Sequence, residues 1–281
     1  MKIFSIETGN IKLDGGAMFG VVPKLMWNKK YPADENNQCN WAMRCLLVDT
    51  GNRKILIDTG AGNKQGKEFF ETYGISENYT LESSVKNEGY NFEDITDVIL
   101  THLHFDHCGG AVKYNDSGSL VPTFPNAVYH VSKSHWEMSL NPNKREKASL
   151  LVENFLPLAE YNQLNLITDE SYLIPEIYFK IFNGHTEGQL IPYIKYNEKT
   201  MAYCGDLFPS TEHIPMSFIM SYDSSPLITL EDKERFFKHA IENNVVLFFE
   251  HDIYNECCSL YKTERGVRVK DKFKLNLFLS K

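Results

Sequence analysis

Short apolar runs bounded by turn residues recur along this chain, and most of them read as strands. Cys45-Leu46-Leu47-Val48-Asp49 and Lys54-Ile55-Leu56-Ile57-Asp58 flank the turn Thr50-Gly51-Asn52, which is the pattern of a β-hairpin. Residues 98–100, 128–131, 178–182, 201–204 and 245–249 are further apolar runs of strand length. Helical periodicity lies between several of them. It is clearest over 229–242, where Thr229 and Asp232 have capping-box spacing ahead of Phe236, Phe237, Ala240 and Ile241. Strands in both halves of the chain, with helices interleaved, predict an α/β sandwich rather than an all-β fold.

Residues 9–40 interrupt this pattern. They carry Gly9, Gly15, Gly16, Gly20, Pro23 and Pro32 among scattered aromatics, so the segment reads as one long loop. Ordered loops of that length usually have a task, as a lid, a substrate wall or a subunit contact. No low-complexity tract and no repeat is visible. With 281 residues, a single domain spanning 1–281 is the expectation.

Composition narrows the partners. Hydrophobic residues make up 42% and charged residues 23%, which excludes wholesale disorder. The formal net charge of −8 argues against nucleic acid and anionic membranes as partners. The first apolar run, Ile3-Phe4-Ser5-Ile6, is too short for a signal-peptide core, and no stretch approaches the roughly 20 apolar residues of a membrane span. Cys39, Cys45, Cys108, Cys204, Cys257 and Cys258 show neither secreted-scaffold spacing nor a C-x-x-C pair. A cytoplasmic location is the reading these features share.

The chemistry concentrates in Thr101-His102-Leu103-His104-Phe105-Asp106-His107-Cys108-Gly109-Gly110. Four metal-capable side chains fall within six residues, directly after a predicted strand. His102 and His104 are two apart, so in extended backbone they point the same way and can grip one ion. Asp106 and His107 follow where Gly109 and Gly110 relax the backbone, and can reach a second. Later strand ends deliver more donors: His185 in Asn183-Gly184-His185-Thr186-Glu187-Gly188, Asp206 after 201–204, and His251 after 245–249. Open α/β sheets place their sites at such C-terminal strand ends. Neutral imidazole with carboxylate suits zinc, and iron and manganese also fit.

With these residues in view, the sequence resembles the metallo-β-lactamase superfamily. The H-x-H-x-D-H segment, the G-H-T-x-G segment at 184–188, Asp206, His251 and Asp58-Thr59-Gly60 stand in the superfamily's order. Asp14-Gly15-Gly16-Ala17-Met18-Phe19-Gly20-Val21-Val22-Pro23 is similar to the branch of quorum-quenching N-acyl homoserine lactonases and methyl parathion hydrolase. The resemblance implies an αββα sandwich of two mixed sheets flanked by helices. It implies that His102, His104 and His185 bind one metal, that Asp106, His107 and His251 bind a second, and that Asp206 bridges them. Asp58 would orient a ligand imidazole by a hydrogen bond. Asp106 and Asp206 would also serve catalysis by orienting the nucleophile.

The implied activity is hydrolysis of a small ester or lactone, first an N-acyl homoserine lactone, by a hydroxide generated at two zinc ions. The alternatives are a phosphotriesterase or aryl esterase of the same fold, an iron-dependent oxidoreductase resembling persulfide dioxygenases, and a binding protein that has lost catalysis. His213 and Tyr222 are candidate substrate contacts, with Asp223 beside them on the same connection. Phe19, Trp27 and Phe208 are candidates for an apolar wall. By analogy with the resembling lactonases, loop 9–40 is a candidate contact of a homodimer.

Overall fold

A computed structural model describes residues 1–75 and 79–280. The chain groups into two compact units, Met1–Asn10 with Met43–Asp169, and Ile11–Ala42 with Glu170–Lys281.

The first unit is organised on a six-stranded sheet, of whose first two strands residues 11–14 and 38–42 group with the second unit. Its strands are β1 (Lys2–Asp14), β2 (Gln38–Asp49), β3 (Lys54–Ile57) and β4 (Asp97–Ile99). After the small hairpin β5 (Val112–Tyr114) and β6 (Leu120–Pro122) come β7 (Val128–Ser132) and β8 (Leu164–Ile167). The order across the sheet is β1-β2-β3-β4-β7-β8. β2 pairs antiparallel with β3, whereas β3, β4, β7 and β8 run parallel. Parallel strands are covered on both faces and so read as unbroken apolar runs. Leu56, Val98, Tyr129 and Val131 are accordingly buried, packed with Leu81, Val85 and Trp136 from flanking helices.

The second unit has a seven-stranded sheet: β9 (Tyr172–Ile174), β10 (Ile177–Phe182), β11 (Gln189–Tyr196), β12 (Lys199–Tyr203), β13 (Val246–Phe248), β14 (Cys257–Thr263) and β15 (Gly266–Phe273). The strands are antiparallel except for β12 and β13, which run parallel. The helix Pro226–Glu242 buries Phe236, Phe237 and Ala240 against Phe182, Ile191, Tyr193 and Leu247. Burying each of those two phenyl rings stabilises the unit by about 1.5–3 kcal/mol. Mixed sheets flanked by helices are the architecture the sequence predicts. None of the six cysteines, all buried, forms a disulfide. No helix among the described residues is long and apolar enough to cross a membrane.

Two local expectations change. Segment 9–40 is not one loop: β1 continues to Asp14, helices occupy Gly15–Phe19 and Lys24–Trp27, and β2 begins at Gln38. Gly15 acts as space rather than as a breaker, whereas Gly20, with φ at 57°, ends the first helix. A Cβ on Gly15 would stand 2.4 Å from the Trp27 ring, and Asp14 caps the first helix by accepting the Ala17 N–H at 2.8 Å. The long helix, in turn, opens at Pro226 rather than near Thr229. Proline is preorganised for a first helical turn, so Ser225-Pro226 starts the helix, and Thr229 and Asp232 are released for other work.

Candidate metal centre

In the first unit, β4 ends at Ile99 and its continuation carries the histidines. Asp58, at the end of β3, holds this segment. Its Oδ1 accepts the Thr101 N–H at 2.8 Å, and its Oδ2 accepts the Thr101 hydroxyl at 2.7 Å. The same Oδ2 lies 3.1 Å from His107 Nδ1. Asp58 does this with φ at 56°, a left-handed conformation that costs energy for a non-glycine residue and marks a position fixed by its surroundings.

Gly109 and Gly110 differ from expectation in their reason. Gly109 has φ at −58°, an ordinary helical value. A Cβ there would meet the Ala61 carbonyl at 2.1 Å, and one on Gly110 would meet the Thr59 carbonyl at 2.3 Å. The glycines let the metal-motif segment press against the chain after β3. His135 Nε2 completes the support by accepting the Leu103 N–H at 2.7 Å.

In the second unit the donors come singly from strand ends. His185 follows β10, Asp206 follows β12 and His251 follows β13. His185 Nδ1 lies 2.9 Å from Asp223 Oδ1, and Asp223 Oδ2 accepts the Thr229 hydroxyl at 2.8 Å. Asp232 accepts the Asn183 and Gly184 N–H groups at 2.7 and 2.8 Å, fixing the loop before His185. A Cβ on Gly184 would lie 2.4 Å from the Thr229 backbone, so only glycine fits against this helix. His251 Nδ1 donates to the Ala42 carbonyl at 2.7 Å.

A pattern runs through the imidazoles. One nitrogen meets an acceptor behind it in four of them: Thr101 Oγ1 for His102, Asp58 for His107, Asp223 for His185, and the Ala42 carbonyl for His251. His104 Nε2 faces Glu146 at 3.8 Å, beyond hydrogen-bond reach. The other nitrogen faces a second donor of the set. His102 Nε2 and His104 Nδ1 are 3.1 Å apart, and His107 Nε2 lies 3.7 Å from Asp106 Oδ2. Asp206 uses its two oxygens separately: Oδ2 lies 3.2 Å from His185 Nε2 and Oδ1 lies 3.0 Å from His251 Nε2.

These distances fit a metal. Two ligand atoms about 2.0–2.1 Å from one tetrahedral zinc ion lie roughly 3.3 Å from each other. The donor chemistry also calls for a cation. His251 must carry its proton on Nδ1 to satisfy a carbonyl, so a neutral ring turns the Nε2 lone pair toward an Asp206 oxygen. Lone pair and carboxylate repel unless a proton or a metal ion lies between them. All seven donors are buried.

The other candidates divide differently. Phe19 and Phe208 are fully buried and Trp27 is 1% exposed. Phe19 stacks on Trp27 and on His213, and Phe208 packs on Phe236 and Phe237, so all three rings are core rather than a substrate wall. Phe19, Trp27 and Tyr31 are the aromatic residues of 9–40, and composition alone does not distinguish a wall from a core. His213 is buried too. Its Nε2 donates to the Met18 carbonyl at 2.8 Å, and its Nδ1 meets the Ser210 hydroxyl at 2.8 Å. Burial lowers its pKa to about 4, so the ring is a neutral tether with both nitrogens engaged, not a substrate contact. Tyr222 is exposed. The half-buried rings beside the motif are others: Phe69 and Tyr73 pack on Phe105 at centroid distances of 4.9 and 4.6 Å. Asp223, Thr229, Asp232 and Glu146 are the supporting residues that sequence reasoning missed or placed elsewhere.

The sheets, the strand-end donors and their order are those of one known family. The description "Metallo-beta-lactamase superfamily" matches residues 44–242, and the chain belongs to that superfamily. It is a metallo-hydrolase of this class. N-acyl homoserine lactonase AiiA of Bacillus thuringiensis subsp. kurstaki is 25% identical over 235 residues, covering 77% of this chain and 84% of that protein. A probable metal-dependent hydrolase from Staphylococcus aureus superposes with a TM-score of 0.87 at 30% identity, covering 97% of this chain and 96% of that one. AidC, a dizinc quorum-quenching lactonase, has a TM-score of 0.80 at 21% identity, covering 98% and 95%.

Proposed function

We propose that seven donors of this chain hold two divalent ions, zinc first, and that the enzyme opens the ring ester of an N-acyl homoserine lactone. His102, His104 and His185 would take one ion and Asp106, His107 and His251 the other, with Asp206 shared. The observation that carries this reading is the split use of Asp206, one oxygen toward His185 and the other toward His251. A carboxylate that only paired with one histidine would have no reason for that division.

When bound, such ions supply Lewis acidity and lower the pKa of coordinated water, which makes hydroxide available near neutral pH. The chain supplies position. Asp58, Asp223 and the Ala42 carbonyl hold Nδ1 protons, so that His107, His185 and His251 present Nε2 as the ligand atom. Asp106 and Asp206 orient the attacking water. Phe69, Tyr73 and Phe105 offer the apolar surface for an acyl chain beside Asp106. The lactone class is supported by the curated relatives named N-acyl homoserine lactonase.

The test is a screen of purified, metal-loaded protein against homoserine lactones of several chain lengths, simple aryl esters and one phosphotriester. Ring opening of the lactones with the highest kcat/KM is the expected result. Turnover of the phosphotriester with lactones untouched would replace the lactonase reading, and His104→Ala with full metal content and full turnover would overturn the site.

A further inference from the structure

The second unit carries a cleft of about 800 Å³ whose lining includes none of the proposed metal ligands. That volume lies within the range of small-molecule sites. Its charged lining is Lys30, Arg265, Arg268 and Lys272 with Glu212 and Glu264. Four cations against two carboxylates leave two positive charges in excess, in a chain whose net charge is −8.

The pairing within the cleft is uneven. Glu212 serves two lysines, with Oε2 3.0 Å from Lys30 and Oε1 3.0 Å from Lys272. Against the upward push of burial, the hydrogen bonds from Lys272 and Lys30 hold its carboxyl below the ordinary range. Among the described residues, neither Arg265 nor Arg268 makes an ion pair. The Arg268 side chain and the Arg265 backbone are nonetheless held in place. Arg268 Nη1 donates to the Val267 carbonyl at 2.7 Å. The turn between β14 and β15 is tied by Thr263, whose hydroxyl donates to the Gly266 carbonyl at 2.7 Å and accepts the Arg265 N–H at 3.1 Å. Between the charges lie buried Ile214, half-buried Val269 and the exposed ring of Tyr261.

Two guanidinium forks without carboxylate partners, set beside an apolar surface, match a dianion attached to an apolar body. The planar fork suits phosphate oxygens in particular. We infer that this cleft binds a small organic phosphate monoester, its phosphate held by Arg265 and Arg268 and its apolar part laid on Ile214, Val269 and Tyr261. Lys30 and Lys272, which share Glu212, add long-range attraction and not the specific contacts.

The experiment is calorimetric titration of the metal-loaded full chain with phenyl phosphate, and with benzoate and phenol for comparison. Phenyl phosphate is expected to bind one per chain, more tightly than benzoate, with phenol giving no heat. The double variant Arg265→Gln/Arg268→Gln should weaken it about tenfold or more with metal content unchanged. Asp206→Ala, which removes a proposed metal ligand, should leave it intact. Binding that survives the arginine substitutions but disappears with Asp206→Ala would put the phosphate at the metals and overturn the inference. Absence of binding to the native chain, or equal affinity for benzoate, would overturn it too.

Discussion

Asp97 and Asp206 are both buried aspartates facing histidine nitrogens, and they solve the same electrostatic problem differently. Asp97, at the start of β4, receives a two-pronged contact from Arg53, the Thr96 hydroxyl at 2.7 Å and His130 Nε2 at 2.8 Å. His130 can be neutral there, because the Asn165 amide meets its Nδ1 at 2.9 Å and leaves the proton on Nε2 to point at the carboxylate. Guanidinium, hydroxyl and imidazole N–H all present hydrogens to Asp97, so the cluster is complete as protein. Asp206 faces two imidazoles whose hydrogens are spent behind them, on Asp223 and on Ala42. Its partners offer lone pairs. The direction in which each histidine spends its proton separates a structural Asp–His cluster from one made for a metal.

The sharpest way to break this contrast is Asp206→Ala, which should cut hydrolysis by about 10³-fold or more in steady-state assays while circular dichroism stays native. Asp223→Ala comes next: with His185 free to rotate and change tautomer, metal affinity should fall about 10–100-fold in a competition titration. Asp97 should behave in the opposite way. Although burial pushes its carboxyl up, hydrogen bonds from His130, Arg53 and Thr96 bring its pKa down to about 2. A carboxyl depressed on folding stabilises the protein above its unfolded pKa. This contribution, about 2 kcal/mol, is therefore present above pH ~4 and lost as pH falls toward ~2. Asp97→Asn should lower stability by that amount in urea melts at pH 7 and flatten the acid limb, with turnover per folded enzyme unchanged. The smallest effect expected is for Thr229→Val. It removes one hydrogen bond to Asp223, worth about 1 kcal/mol, and so about fivefold in metal affinity.

The same contrast explains what could be read from the chain. The dense half of the donor set, His102 to His107, announces itself because a strand followed by a turn brings neighbours in sequence together in space. His185, Asp206 and His251 were readable only as residues at the ends of apolar runs. Their supports were harder. Thr229 and Asp232 have the spacing of a helix cap, and nothing local says that Ser225-Pro226 starts the helix first and turns them toward Asp223 and the Asn183-Gly184 backbone. The acceptor behind His251 is a main-chain carbonyl, which no residue type encodes. Glu146, 3.8 Å from His104, comes from a stretch with no periodicity to draw attention to it. Apolar runs marked β2, β3, β4, β7, β10, β12 and β13, but not the largely mixed-polarity strands β1, β5, β6, β8, β9, β11, β14 and β15. Segment 9–40 misled in part because Gly15 makes room for Trp27 rather than reversing the chain.

The central claim is that Asp206 was placed for metal, and metal counting tests it most directly. Mass spectrometry of the elements in the purified native chain and in Asp206→Ala should find two divalent ions per native chain and at most one in the variant. A native chain with no stoichiometric metal after loading, or a variant that keeps both ions, would contradict it.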